Sequence, residues 1–266
     1  MNRREFIVGA GAALASPFAI GKPVRSSLGA DNGSKAAEGW TNPYVTDGMI
    51  AMWDAEWNAG GGVHDSSLFA IRDLVGSSDI ALSSDCVIGS NSISFTPSNP
   101  DVLNVCGGIT HDIENLPEIG EPVTNEAVGT LTGGGGWDAW RFIFAYRDGC
   151  AFCYNTRFGI YFGKYRNSES SKDMVGGFSA IDSATHTLSY SSRTVAWNDF
   201  YYYINGQEYT AGGQNMTYTP SDSKVRILTS TIASTMAFNT LRIYNRSLTA
   251  AEIAENHSVD KERFGL

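Results

Sequence analysis

The chain has 266 residues, 42% of them hydrophobic and 12% aromatic, with 29 glycines and 18% charged residues. That apolar share excludes wholesale disorder, and the length suffices for a sizeable core within one β-sandwich domain. The formal net charge of −9 repels a nucleic-acid backbone, and no basic patch with interleaved aromatics offsets it, so nucleic acid is not an expected partner. Many aromatics and glycines with few charges favour strands and turns over long surface helices.

The N-terminus reads as a signal peptide over residues 1–20. Arg3 and Arg4 precede Phe6 and a run from 7 to 14 that is wholly apolar or glycine, and small residues follow as cleavage sites. The paired arginines with Phe6 resemble a twin-arginine export signal, which implies an exported protein that folds before it crosses. The apolar run is too short for a membrane span, so no transmembrane segment is expected in the mature chain. No cysteine follows it to take a lipid. Residues 21–43 are polar and Gly/Ser-rich, and read as a flexible linker.

Strand patterns begin near Gly48. Residues 49–53 are apolar and end at Asp54, and 55–67 read as a loop punctuated by three glycines and Asp65-Ser66-Ser67. Short strands are expected at 80–82, 87–88 and 93–95. Pro97, Pro100, Pro117 and Pro122 break up the next stretch, so 98–122 reads as a long loop or insertion. Beyond the turn at 133–136, Trp140, Phe142, Phe144 and Tyr146 alternate with Arg141, Ile143 and Ala145. This is period two, with the aromatic face expected inside. Asp148-Gly149 marks a hairpin into a strand at 150–154, with further strands at 158–162, 186–190 and 193–197.

Residues 200–204 lead into Asn205-Gly206, the strongest short hairpin signal in the chain. Residues 224–229 alternate again. In the last strand, 238–244, Leu241 and Ile243 face one way and Arg242 and Tyr244 the other. Thr249 and Glu252 form a capping box for one closing helix reaching about Asp260, with Leu248 stapled on Ile253. Many short strands and one short helix call for two antiparallel sheets packed face to face.

The closing run Leu241-Arg242-Ile243-Tyr244-Asn245-Arg246-Ser247-Leu248-Thr249-Ala250-Ala251-Glu252-Ile253 resembles the end of laminin-G-like domains of the concanavalin A-like lectin/glucanase superfamily. Gly48-Met49-Ile50-Ala51-Met52-Trp53-Asp54, Ile71-Arg72-Asp73-Leu74-Val75-Gly76 and Tyr203-Ile204-Asn205-Gly206 are similar to its earlier landmarks, in order. The resemblance covers 44–266. It implies an all-β jelly-roll sandwich in a bacterial surface or secreted protein that binds glycans or other proteins, often with calcium at the rim.

Hydrolytic relatives carry a Glu-x-Asp-x-x-Glu run, which is absent here. Glu114, Glu118, Glu121 and Glu126 lie among prolines and glycines, and no aromatic strand carries them. No catalytic residue is therefore assigned. Sugar recognition uses aromatic faces flanked by polar groups, and the candidates are Trp57, Trp137 and Trp197 with Asn198 and Asp199, all beside loops. A calcium site would draw oxygens from Asp54, Asn58, Asp65 and Asp73. The alternative for each is structural: tryptophans covering the core edge and carboxylates capping turns. The four cysteines, Cys86, Cys106, Cys150 and Cys153, permit two disulfides or none. The expected function is a non-catalytic binding module outside the cytoplasm, for a glycan or, alternatively, a surface protein. The remaining alternative is a glycosidase with a carboxylate pair drawn from separate strands.

Overall fold

The computed structural model describes residues 41–60, 70–96, 105–110, 113, 115–117, 121–131, 140–146, 150–155, 159–164, 174–178, 184–192, 200–209, 225–230 and 235–266. The elements in chain order are β1 (Met49–Asp54), α1 (Ala55–Gly60), β2 (Ala70–Ile71), β3 (Ile80–Leu82), β4 (Cys86–Ile88), β5 (Ile93–Phe95), β6 (Val105–Thr110), β7 (Val123–Leu131) and β8 (Trp140–Tyr146). Then come β9 (Cys150–Asn155), β10 (Gly159–Lys164), β11 (Met174–Phe178), β12 (Thr185–Ser192), β13 (Phe200–Ile204), β14 (Gln207–Tyr209), β15 (Val225–Ser230), β16 (Met236–Tyr244) and α2 (Ala250–Phe264).

The strands form two eight-stranded antiparallel sheets in a jelly-roll sandwich. One runs β14-β13-β12-β7-β16-β5-β4, with β1 also paired to β16; the other runs β11-β10-β9-β8-β15-β6-β3-β2. Alternation sorts the side chains into two cores. Ala51, Trp53, Ala127, Leu188, Tyr202, Leu241 and Ile243 belong to the larger cluster, together with Val225 and Ile227 of the opposing sheet. Met49, Met52, Tyr203 and Tyr244 turn to the other face of the first sheet and pack with Leu248 and Ile253 of the α2 region. The first sheet is thus buried on both faces, and α2 is its outer cover.

The expected hairpin at Asn205-Gly206 is present: Asn205 and Gly206 have φ of 49° and 74°, and Ile204 pairs with Gln207. Two left-handed residues between antiparallel strands suit the right-handed twist of the sheet. The capping box is formed, with Thr249 accepting from the Glu252 backbone and the Glu252 side chain accepting from the Thr249 backbone.

Three expectations need correction. Residues 55–60 form α1 rather than a loop, because the Asp54 carboxylate accepts from the Trp57 backbone and starts a helical turn. The stretch 98–122 contains β6, whose Cys106-Gly107-Gly108 lacks a strand-like pattern but pairs with both β3 and β15. Glu126, beyond that stretch, lies on β7 between β12 and β16. Finally, α2 continues past Asp260 to Phe264, where Gly265 closes it with φ of 69° and an N–H donated to the Lys261 carbonyl. The expected strand at 193–197 lies outside the described residues.

Candidate functional site

The chemistry-bearing side chains gather beneath α2. Arg242 sits between Leu241 and Ile243 on β16, so alternation turns it out of the inter-sheet core and against the helix. Its Nε donates to Glu126 Oε2 on β7 at 3.0 Å, and its two terminal nitrogens donate to the two Asp260 oxygens on α2 at 2.8 and 2.7 Å. All three side chains are 0% exposed. Ser189 donates to Glu126 Oε1, Asn256 to Glu126 Oε2, and the Tyr44 hydroxyl to Asp260 Oδ1 at 2.7 Å. The Tyr44 ring lies under the guanidinium, 3.9 Å from its carbon.

Burial pushes the Glu126 carboxyl up, while the Arg242 charge pulls the other way. Burial acts to lower the Arg242 value, but Asp260 and Glu126 outweigh it and hold the guanidinium charged. Burial likewise pushes the Tyr44 hydroxyl far up, keeping it a donor. Placing charges in a dry interface costs several kcal/mol per ion unless geometry and hydrogen bonds offset it. Here a bidentate pair and a full set of donors do so. Two carboxylates clamping one arginine, with no cleft between them, form a structural lock and not an acid/base pair facing a substrate.

A second cluster joins the end of α2 to α1. Arg263 donates to both Asp54 oxygens at 2.8 and 3.0 Å, to Glu56 at 2.6 Å, and to the Tyr44 hydroxyl at 2.8 Å. Its guanidinium carbon lies 3.7 Å from the Trp57 ring centroid, and Tyr44 meets that ring edge-on at 6.0 Å. Trp57, a candidate sugar platform, is therefore half-buried with the arginine stacked on its face.

The other described candidates are equally engaged. Asn58 donates to the carbonyls of Asp54 and Arg72 and accepts from the Arg72 N–H. Asp73 Oδ1 accepts from the N–H groups of Met52, Val75 and Gly76, and Oδ2 from that of Ser78. Burial raises the Asp73 carboxyl, with these backbone donors opposing the rise. Asn58 and Asp73 thus spend their oxygens on the β1–β2 corner, and Asp54 spends its own on Arg263 and the Trp57 N–H. Among the described residues no group of three or more His, Cys, Asp or Glu side chains is placed to hold a metal ion. Asp65 lies outside the described residues. Cys86 is a buried thiol. The side chains of Cys106, Cys150 and Cys153 are also outside the description.

Trp137, Trp197, Asn198 and Asp199 lie outside the described residues as well. β1 pairs Asp54 with Thr240, whose other partner is Val128, so α1 and Trp57 follow β1 toward the Leu131 end of β7.

The sequence reading missed Glu126, Asp260, Arg263 and Tyr44 as functional partners of the fold. A signal for them existed. An arginine inside a strand that is apolar on both sides, facing a capped helix, requires a buried carboxylate.

No family model matches the chain, and no curated protein matches it. Solved structures share the fold. They include the Trypanosoma rangeli sialidase in complex with sialic acid, 13% identical with a TM-score of 0.55 over 80% of this chain and 33% of that chain. The receptor binding domain of botulinum neurotoxin C/D mosaic serotype is 12% identical, with a TM-score of 0.60 over 81% of this chain and 52% of that one. The botulinum neurotoxin type G receptor binding domain is 13% identical, with a TM-score of 0.56 over 80% and 52%. The chain spans between a third and about half of the length of these proteins.

Proposed function

We propose that this chain is an exported, non-catalytic binding module whose ligand is a carbohydrate held by the rim of the sandwich. The observation that carries the reading is how its buried charges are spent. Glu126 and Asp260 are consumed by Arg242, and Asp54 by Arg263, all in the cover of one sheet. Among the described residues these carboxylates are committed to the fold, and on a rigid sandwich recognition usually falls to loops. A sialidase crystallised with sialic acid and two receptor binding domains on the same fold support a binding role. So does the resemblance of the closing sequence to laminin-G-like domains. Structural calcium drawn from the set Asp54, Asn58, Asp65 and Asp73 belongs to the same proposal. Export rests on Arg3, Arg4 and the apolar run behind them.

A second reading is a protein-binding surface domain. It is favoured by Val87, which is 68% exposed on the terminal strand β4 of the first sheet, where a partner strand can add. A glycan array probed with residues 37–266, in calcium and in chelator, separates the two. Saturable binding to a defined sugar class supports the carbohydrate reading. Silence across the array in both conditions overturns it in favour of the protein partner.

A further inference from the structure

We propose that Asn205-Gly206 is a deamidation site guarded by the fold, which converts when the β13–β14 hairpin parts from β12 and α2. The chemistry is intrinsic to the pair. The Gly206 backbone nitrogen gives up its proton and attacks the Asn205 side-chain carbonyl carbon. A C–N bond closes a succinimide ring as the amide C–N bond breaks and ammonia leaves. One water then opens the ring at either carbonyl, leaving aspartate or its β-linked isomer. Glycine at the second position offers no side chain to obstruct the attack, and Asn205 is exposed at the turn.

The folded geometry withholds this reaction. The Asn205 carboxamide is directed across to β12: its oxygen accepts from the Thr187 N–H at 3.0 Å, and its nitrogen lies 3.2 Å from His186 Nδ1. The Asn205 N–H donates to the Thr187 carbonyl at 2.9 Å. α2 approaches Gly206 so closely that a Cβ built there would stand 2.9 Å from His257 Cδ2. His257 is itself held by Thr187 at 3.1 Å. Ring closure must break both carboxamide contacts and swing the side chain back toward Gly206, within a turn whose two φ angles are fixed in the left-handed region. Strand hairpins at sheet edges open locally at less cost than global unfolding, so conversion records that opening. The β-linked product adds a methylene to the backbone, and a two-residue turn no longer fits the Ile204–Gln207 register.

The test is peptide mapping by mass spectrometry after incubation in mildly alkaline buffer, scoring amide-to-acid conversion and β-linked aspartate at position 205. The samples are the folded chain, the same chain across a urea titration, and His257→Ala. The folded chain should convert at least about tenfold more slowly than the urea-unfolded chain, with conversion tracking hairpin opening. His257→Ala should convert faster than the parent while still folded. If that variant does not fold, the urea series carries the test by itself. Equal rates in folded and unfolded chain overturn the guard. No conversion even when unfolded overturns the site.

Discussion

Arg242 Nε lies 3.0 Å from Glu126 Oε2 across the β16–β7 ladder, with neither side chain exposed. The pair is the centre of the contact between α2 and the sheet, because Asp260 completes the guanidinium from the helix. Replacing Arg242 with Met leaves two buried carboxylates facing each other and should cost about 3–5 kcal/mol in urea unfolding. Replacing all three with apolar residues of similar volume should cost less than that single change, because no uncompensated charge remains. An Arg242→Met variant within about 0.5 kcal/mol of the parent, the range of neutral surface changes, would refute the lock.

The α2 cap predicts a specific acid response. The hydrogen bonds from Arg246 hold the Glu252 carboxyl at about 2, against 4.5 ordinarily, with burial opposing and Thr249 assisting. A carboxylate lowered in the folded state stabilises fully above its unfolded value and loses that contribution as pH falls through the folded one. The window is therefore between about 4.5 and about 2. The stability gap between parent and Glu252→Gln should be constant above that window and shrink as pH falls through it. Equilibrium unfolding as a function of pH, parent against variant, is the measurement. Parallel profiles through that window would remove Glu252 from the acid limb.

Elements that declare themselves by alternation or turn chemistry were legible in advance. β8, β13, β16 and the Asn205-Gly206 turn needed only local pattern, and so did the Thr249–Glu252 cap. β7 was not legible, since Thr124, Asn125 and Glu126 are polar on both faces of the strand. Its outward face is polar because two of the three buried residues of the helix above it, Asn256 and Asp260, are polar. Asn125 is 2% exposed and its amide makes no hydrogen bond, which no strand pattern anticipates. The candidate tryptophans were chosen by residue type, and of them Trp57 alone lies among the described residues. The stacking of Arg263 on its face was not legible, because that arginine comes from the far end of the chain.

The proposed carbohydrate role yields a prediction about recognition. Trp137→Ala and Trp197→Ala, each titrated against a sugar found by the array, should cost about 1–3 kcal/mol wherever the ring stacks on the sugar. Unchanged affinity in both variants would remove these tryptophans from the site. Trp57→Ala should act chiefly on stability, lowering it by about 1–2 kcal/mol through the lost Arg263 stacking and burial.

The hairpin tip gives the sharpest separation of backbone from packing. Gly206 has φ of 74°, and a Cβ there meets His257 at 2.9 Å. Gly206→Ala incurs both penalties. The left-handed conformation costs a non-glycine residue about 1–2 kcal/mol, and the contact forces the imidazole to move. His257→Ala in the Gly206→Ala background removes the contact and leaves the conformational cost. A double-mutant cycle by urea unfolding should therefore show coupling of about 0.5–3 kcal/mol, the range for residues in contact, in the sense that the second change is less damaging than it is alone. Strict additivity would mean that His257 does not press on the turn, and would also remove one of the supports for a guarded Asn205.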